Sequence, residues 1–112
     1  MIGKRLSELD TPVLWLDLDI FEENISTITS FLKQHNLQWR PHIKGIKIPE
    51  IAKKLIKAGA IGVTCAKLGE AEDMVNGGLD HILIANQIVG PLKIQRLLEL
   101  CRHRDVTVAV DD

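Results

Sequence analysis

The sequence is poor in cysteine, in aromatic residues and in long apolar runs. It has two cysteines, Cys65 and Cys101, among 112 residues; aromatic side chains make up 4%, and tyrosine is missing. Two cysteines without a CxxC pair favour neither a disulfide framework nor a structural zinc site, so we expect buried free thiols. No apolar stretch approaches the roughly 18 to 20 residues of a membrane-spanning helix, and the opening residues lack the apolar segment of a secretory signal. These absences predict a cytoplasmic protein that does not bind a membrane.

An excess of charge of one sign is also missing. The 14 Lys and Arg residues nearly balance 15 Asp and Glu residues, for a net charge of -1. This balance leaves no electrostatic footprint for nucleic acid, which we do not expect as a partner. Four histidines without an HxH, HExxH or paired Cys/His spacing predict no internal metal site, and no GxxxxGK[ST] or GxGxxG loop indicates a nucleotide. An apolar content of 46% indicates a packed core.

What the sequence does contain is a regular alternation of strand and helix patterns. A first strand is predicted over residues 13–18, followed by a helix with Asp19 as its N-cap and Glu22 as its capping-box partner. Pro49 and Pro91 suit the first turns of later helices, and Gly59 suits a left-handed cap. Further strands are predicted over 37–44, 61–66, 81–85 and 106–110, with a short helix over 68–75.

This alternation is typical of a parallel α/β sheet, either an open doubly wound sheet or a (β/α)8 barrel, and periodicity does not separate the two. The four repeating strands are half of an eight-stranded barrel, and the sequence stops after an apolar strand that no helix covers. We therefore predict an α/β chain forming a partial (β/α)8 TIM-type barrel of about four parallel β/α units plus an N-terminal strand and helix. A complete flavodoxin-like domain is the less favoured alternative.

Polar residues collect where the predicted strands end, which is where parallel folds place their functional groups. The segment QWRPHIK is the exception, because its alternation puts Arg40, His42 and Lys44 on one strand face. Such a face is either a solvated edge, which Pro41 would permit, or the lining of a site for an anionic or carbonyl ligand. In a ligand site, cationic neighbours and burial would make a lysine nucleophilic, and Lys44 is the best-placed candidate.

The blocks RPHIKGIKIPEIA, GAIGVTCAKLGEAE and HILIANQIVG, with the opening TPVLWLDLDIFEENI, resemble the D-threonine aldolase and D-serine dehydratase-like family. These are fold-type III pyridoxal-phosphate enzymes, related to the N-terminal barrel of alanine racemase. The resemblance implies that residues 1–112 are the N-terminal part of such a cofactor-binding barrel. The remaining barrel strands and the C-terminal β domain of the family are absent from the sequence.

The resemblance also implies roles for individual residues. Lys44 matches the lysine that forms the Schiff base with pyridoxal phosphate, and Arg40 and His42 belong to the same cofactor-binding motif. Asn86 and Gln87 match a third-strand motif near the substrate. Many family members have KTHK where this chain has KGIK, so Ile46 replaces a histidine and a polar contact is missing.

As a function, the resemblance implies a pyridoxal-phosphate-dependent lyase acting on a D-amino acid, by aldol cleavage or by elimination of a hydroxyl group. A homodimer and an assisting divalent metal are expected for the full-length family, although the metal ligands are not in this sequence. We expect the 112-residue chain to be inactive alone. An amino-acid racemase with the same barrel, or a truncated non-catalytic α/β module, are the alternatives.

Overall fold

A computed structural model of the chain describes residues 3–111. After a single 3-10 turn at Leu6–Glu8, the elements follow in the order α1 (Leu18–Gln34), α2 (Pro49–Lys57), β1 (Val63–Cys65), α3 (Leu68–Asn76), β2 (Ile82–Ile84), α4 (Pro91–Cys101) and β3 (Val106–Val108). The predicted alternation of strand and helix is therefore present. Over the described residues, no helix combines the length and the apolar character that crossing a membrane demands.

The three strands form a parallel sheet in the order β1-β2-β3. The 39–43 segment extends this sheet beyond β1, because His42 forms a parallel bridge with Thr64. The Ile43 N–H donates to the Thr64 carbonyl at 2.9 Å, and the Thr64 N–H donates to the Pro41 carbonyl at 2.8 Å. The strand predicted over 37–44 is thus present only as this short paired segment.

The described strands are wound in one direction. Strand order follows chain order without a reversal. Because parallel crossovers are right-handed, successive crossovers in one direction place their helices on the same face of the sheet. The described part of the chain is therefore α/β, with a parallel sheet whose crossovers run in one direction.

The core lies between the helices and one face of the sheet. Alternate strand residues Val63, Cys65, Ile82 and Ile84 are fully buried on that face. They belong to one apolar cluster with side chains from the 39–43 segment and from α1, α2 and α3: Ile43, Ile25, Ala52, Leu55, Leu68, Ala71 and Met74. The strand residues between them occupy the other face, on which the register aligns His42, Thr64, Leu83 and Thr107.

Two predictions about the N-terminal region are wrong. Residues 13–17 form no strand, and Val13 to Leu16 are exposed, with Leu14 reaching 92%. Their apolar pattern resembles a strand, but a strand also needs a neighbour to pair with, and none lies alongside them among the described residues. The N-cap of α1 is Asp17 rather than Asp19, since the Asp17 carboxylate accepts from the N–H groups of Asp19 and Ile20.

Other helix boundaries agree with the sequence. Pro49 and Pro91 occupy the first turns of α2 and α4. Gly59 follows α2 with a φ of 109°, the left-handed conformation that only glycine adopts without strain. Glu22, which does not close a capping box, instead pairs with Lys54 of α2 at 2.6 Å and ties α1 to α2.

The apolar side of α4 is more exposed than its pattern predicted. No α4 residue is fully buried, and only Leu97 and Leu100 are partly covered. Leu92, Ile94 and Leu98 are exposed, and the prediction of a buried thiol is wrong for Cys101. The reason is position, because α4 contacts α3 on one side and no described element covers its other side. Of the two free thiols, Cys65 is buried and Cys101 is exposed.

We expect Ile43→Ala to lower the free energy of unfolding by about 2 to 5 kcal/mol, because it removes a buried side chain and leaves a cavity. Ile43 is 1% exposed and holds the 39–43 segment to the core. Urea unfolding followed by circular dichroism measures the change. Leu14→Ala is the control, with an expected effect within about 0.5 kcal/mol. Equal effects of the two substitutions would contradict the packing described above.

We expect one of the two thiols to react with a disulfide reagent in the folded chain. Burial raises the pKa of the Cys65 thiol to about 12, with the carboxylates of Glu70 and Asp73 adding to the shift, so the reactive thiolate is scarce. Ellman's reagent should label Cys101 at once and Cys65 only after unfolding. Cys101→Ser should remove the fast phase and Cys65→Ala should keep it. Two fast thiols in the native chain would be the opposite result.

Candidate active site at the carboxyl ends of the strands

The strand ends bring the sequence-predicted polar residues to one edge of the sheet. In a parallel sheet all carboxyl ends meet at the same edge, which is where barrels carry their functional loops. Lys44 follows the 39–43 segment, Lys67 follows β1, Asn86 and Gln87 follow β2, and Asp111 follows β3. Lys44, Asn86 and Gln87 are therefore on the same edge, as expected from their positions in the sequence.

Lys44 sits immediately after the last hydrogen-bonded residue of its segment. The Ile43 carbonyl accepts from the N–H groups of Ile46 at 2.9 Å and Lys47 at 2.8 Å, so the chain turns sharply there. We call residues 44–47 the lysine turn. The Lys44 side chain is exposed, rather than buried as a strongly activated lysine would be. Among the described residues, no hydrogen bond or ion pair engages its amine.

The three basic residues of RPHIK do not form one cluster. The Arg40 guanidinium donates to the His81 carbonyl at 2.5 Å, just before the amino end of β2. A strand rises about 3.3 Å per residue, so four residues carry the chain across most of the sheet from Arg40 to Lys44. His42 stays with Lys44, because its Nδ1 accepts from the Lys44 N–H at 3.2 Å. The cofactor roles of Arg40 and His42 stay predictions.

Asn86 and Gln87 connect the ends of all three strands. Asn86 Nδ2 donates to the Ala66 carbonyl at 3.1 Å, and its Oδ1 accepts from the Gln87 N–H at 3.0 Å. Gln87 Nε2 donates to Asp111 at 3.4 Å. Both ends of the Asn86 amide are therefore used within the protein, whereas no described residue donates a hydrogen bond to Gln87 Oε1. Gln87 and Asp111 line a cleft of about 490 Å³ between the ends of β2 and β3.

Glu70 is a charged residue close to the lysine turn that the sequence did not single out. It lies in the first turn of α3, where a negative charge complements the helix dipole. It is also buried, at 8% exposure, and its Oε2 accepts from the Ala66 N–H at 2.7 Å. Its Oε1 lies 3.4 Å from Lys47 Nζ. The spacing KLGE hinted at a glutamate bonding back toward the helix start, but nothing in the sequence links it to Lys47.

The electrostatics of Glu70 favour its charged form. Burial by itself raises the pKa of the carboxyl, but the Ala66 N–H, the Lys47 ammonium and the Lys67 N–H together outweigh burial, so the pKa lies below its ordinary value. With these partners the buried Glu70 carboxyl is ionised at neutral pH. It joins the lysine turn to the turn that follows β1.

The chain is similar in sequence to proteins of known activity. No family model matches the chain. It is 40% identical over 110 residues to D-threonine aldolase from an Arthrobacter species, and 40% identical over 112 residues to 3-hydroxy-D-aspartate aldolase from Paracoccus denitrificans; each match covers 98% of this chain and 29% of the relative. It is 34% identical over 107 residues to D-threo-3-hydroxyaspartate dehydratase from a Delftia species, covering 95% and 28%.

Solved structures agree with the sequence matches. The crystal structure of D-threonine aldolase from Filomicrobium marinum superposes with a TM-score of 0.92 and 44% identity, over 96% of this chain and 29% of that one. D-threo-3-hydroxyaspartate dehydratase from Delftia sp. HT23 gives a TM-score of 0.86 and 33% identity, over 94% and 28%. The chain thus spans less than a third of the length of these relatives.

We expect Glu70→Gln to lower the free energy of unfolding at neutral pH by about 1 to 3 kcal/mol, because a charge-assisted hydrogen bond to a buried group is lost. A carboxyl whose pKa is lowered by folding stabilises the fold above its unfolded pKa, and this contribution disappears as the pH falls through the folded value. The difference between wild type and variant should therefore vanish in acid. Urea unfolding in a pH series measures it, with exposed Glu23→Gln as control; a difference independent of pH would contradict the assignment.

Proposed function

Because the chain belongs to the family of D-threonine aldolase and D-threo-3-hydroxyaspartate dehydratase, we propose that it is part of a pyridoxal-phosphate-dependent lyase acting on a D-3-hydroxy amino acid. The observation that carries the proposal is the placement of Lys44. Its primary amine is exposed, is engaged by no other described residue, and follows directly on a segment fixed to the core by Ile43. In this proposal the rest of the barrel and the C-terminal β domain come from outside these 112 residues.

The residues at the carboxyl edge suit the proposed cofactor. An aldehyde coenzyme needs a primary amine on a rigid support, and Lys44 offers one. Pyridoxal phosphate, when bound, supplies an electron sink for charge at the α carbon of the amino acid. Arg40 is engaged by the His81 carbonyl, which supports a role in holding the segment rather than the phosphate. We infer that groups outside this chain bind the phosphate, as the family resemblance implies.

Four residues of the chain have separate roles in the proposed reaction. Lys44 would hold the cofactor through Nζ, and the same amine would be placed to accept a proton near the α carbon of the substrate. His42 Nδ1 is occupied by the Lys44 N–H, so a neutral His42 carries its proton on Nε2. Gln87 Oε1 faces no described partner and can accept a hydrogen bond from the substrate. Asn86, bonded on both ends of its amide, holds the ends of β1 and β2 together.

The reaction class follows the relatives. Two are named aldolases and one a dehydratase, so cleavage of the bond between the α and β carbons and loss of the β-hydroxyl are both within the proposal. All three names denote lyases, which favours a lyase over the racemase alternative. One related dehydratase variant was solved in a metal-free form. Residues 3–111 contain no cluster of three ligand side chains, so we propose that an assisting metal binds outside this chain. A homodimeric parent enzyme and a cytoplasmic location stay predictions.

We expect pyridoxal phosphate to attach to Lys44 in preference to other exposed lysines. Incubation with the cofactor, reduction with borohydride and peptide mapping by mass spectrometry would locate the adduct. Lys44→Arg keeps the positive charge but removes the reactive amine, so the main adduct should be lost. Lys93→Arg on exposed α4 is the matched control and should leave the adduct in place. Labelling spread evenly over the exposed lysines, or labelling indifferent to Lys44→Arg, would refute the proposal.

A further inference from the structure

Two lysines three residues apart lie on the lysine turn, and the structure treats them differently. Lys47 Nζ is paired with Glu70 at 3.4 Å, whereas the amine of Lys44 has no described partner. Both side chains are exposed to a large extent, so access by itself does not distinguish them. The proposed function needs one specific amine to react with an aldehyde, and a second amine on the same turn is a competitor.

Glu70 is a buried charge that the proposed reaction does not use. It is the one charged side chain among the described residues that is buried. Its Oε2 is fixed by the Ala66 N–H at 2.7 Å, which leaves Oε1 directed toward the lysine turn. The carboxylate is therefore held by the backbone that follows β1.

We infer that Glu70 is a positioning residue that sets which lysine carries the cofactor: it holds Lys47 as a paired ammonium against the β1–α3 turn and leaves Lys44 as the reactive amine. This inference rests on the proposed function. An amine held in an ion pair has to leave its carboxylate before it can attack an aldehyde carbon, whereas the unpaired amine of Lys44 has no such contact to break. The reaction joins the lysine nitrogen to the aldehyde carbon as C=N with loss of one water, and Glu70 disfavours this step at Lys47.

The same pair fixes the backbone that carries Lys44. Lys47 ends the lysine turn with a φ of 55°, a left-handed conformation that non-glycine residues seldom adopt. Its ion pair with Glu70 connects this unfavourable residue to a rigid neighbour. Glu70 thus acts on Lys44 through Lys47 rather than by direct contact.

The test compares cofactor labelling of Lys44 and Lys47 after borohydride has reduced C=N to a stable secondary amine. In Glu70→Gln we expect the ratio of Lys47 to Lys44 adduct to rise about three- to fivefold, as loss of a partly exposed ion pair allows. Glu70→Asp retains the carboxylate and should restore part of the wild-type ratio. Glu72→Gln is the matched control, since it removes the α3 carboxylate that pairs with Arg96 and retains the ion pair between Lys47 and Glu70.

A salt series on the wild-type chain tests the same inference without a substitution. Salt screens an exposed ion pair, so labelling of Lys47 should rise with ionic strength in wild type and stay constant in Glu70→Gln. Circular dichroism confirms that each variant is folded under the labelling conditions. A Lys44 adduct whose ratio to Lys47 responds neither to Glu70→Gln nor to salt overturns this inference alone. A wild-type chain without a Lys44 adduct overturns the proposed function, and this inference with it.

Discussion

The hydrogen-bonded register of the parallel sheet, combined with the packing of one sheet face against the helices, is the constraint on which the other features depend. Strand residues alternate between faces, so the register that buries Val63, Cys65, Ile82 and Ile84 against the helices sends every intervening residue to the opposite face. A slip by one residue would expose the whole apolar set. Because all crossovers run in one direction, the helices collect on the buried face and leave the other face for functional groups.

That register also sets which side chains can act together. His42 aligns with Thr64, so Lys44 comes level with the end of β1, where Asn86 bonds to Ala66. Arg40 is carried to the far end of the same segment, where the His81 carbonyl accepts its hydrogen bond. Sharing one face of a strand is therefore a weaker condition than sharing a site. The rise along the strand, rather than the charge pattern, decides which basic residues are neighbours.

Glu70 shows how a charge can be buried beside such an edge. Its desolvation is offset by the Ala66 and Lys67 N–H groups and by the Lys47 ammonium. The contacts to Ala66 and Lys47 also connect two turns that are far apart in sequence. In exposed ion pairs such as Glu22 with Lys54, the carboxylate stays hydrated. That contact connects two helices rather than two turns.

The local elements follow from the sequence alone, because helix and strand periodicity, proline at a first turn and glycine after a helix act over a few residues. Pro49, Gly59 and Pro91 mark boundaries that the structure confirms, and Lys44, Asn86 and Gln87 lie at strand ends as expected. Strand pairing, burial and ion pairs between distant residues depend on the tertiary structure. The apolar residues 13–16 have no strand to pair with, and no described element covers the outer side of α4. Lys47 forms an ion pair with Glu70, which lies on a different element. Pairing and burial are properties of two surfaces brought together, so a pattern read along one segment cannot specify them.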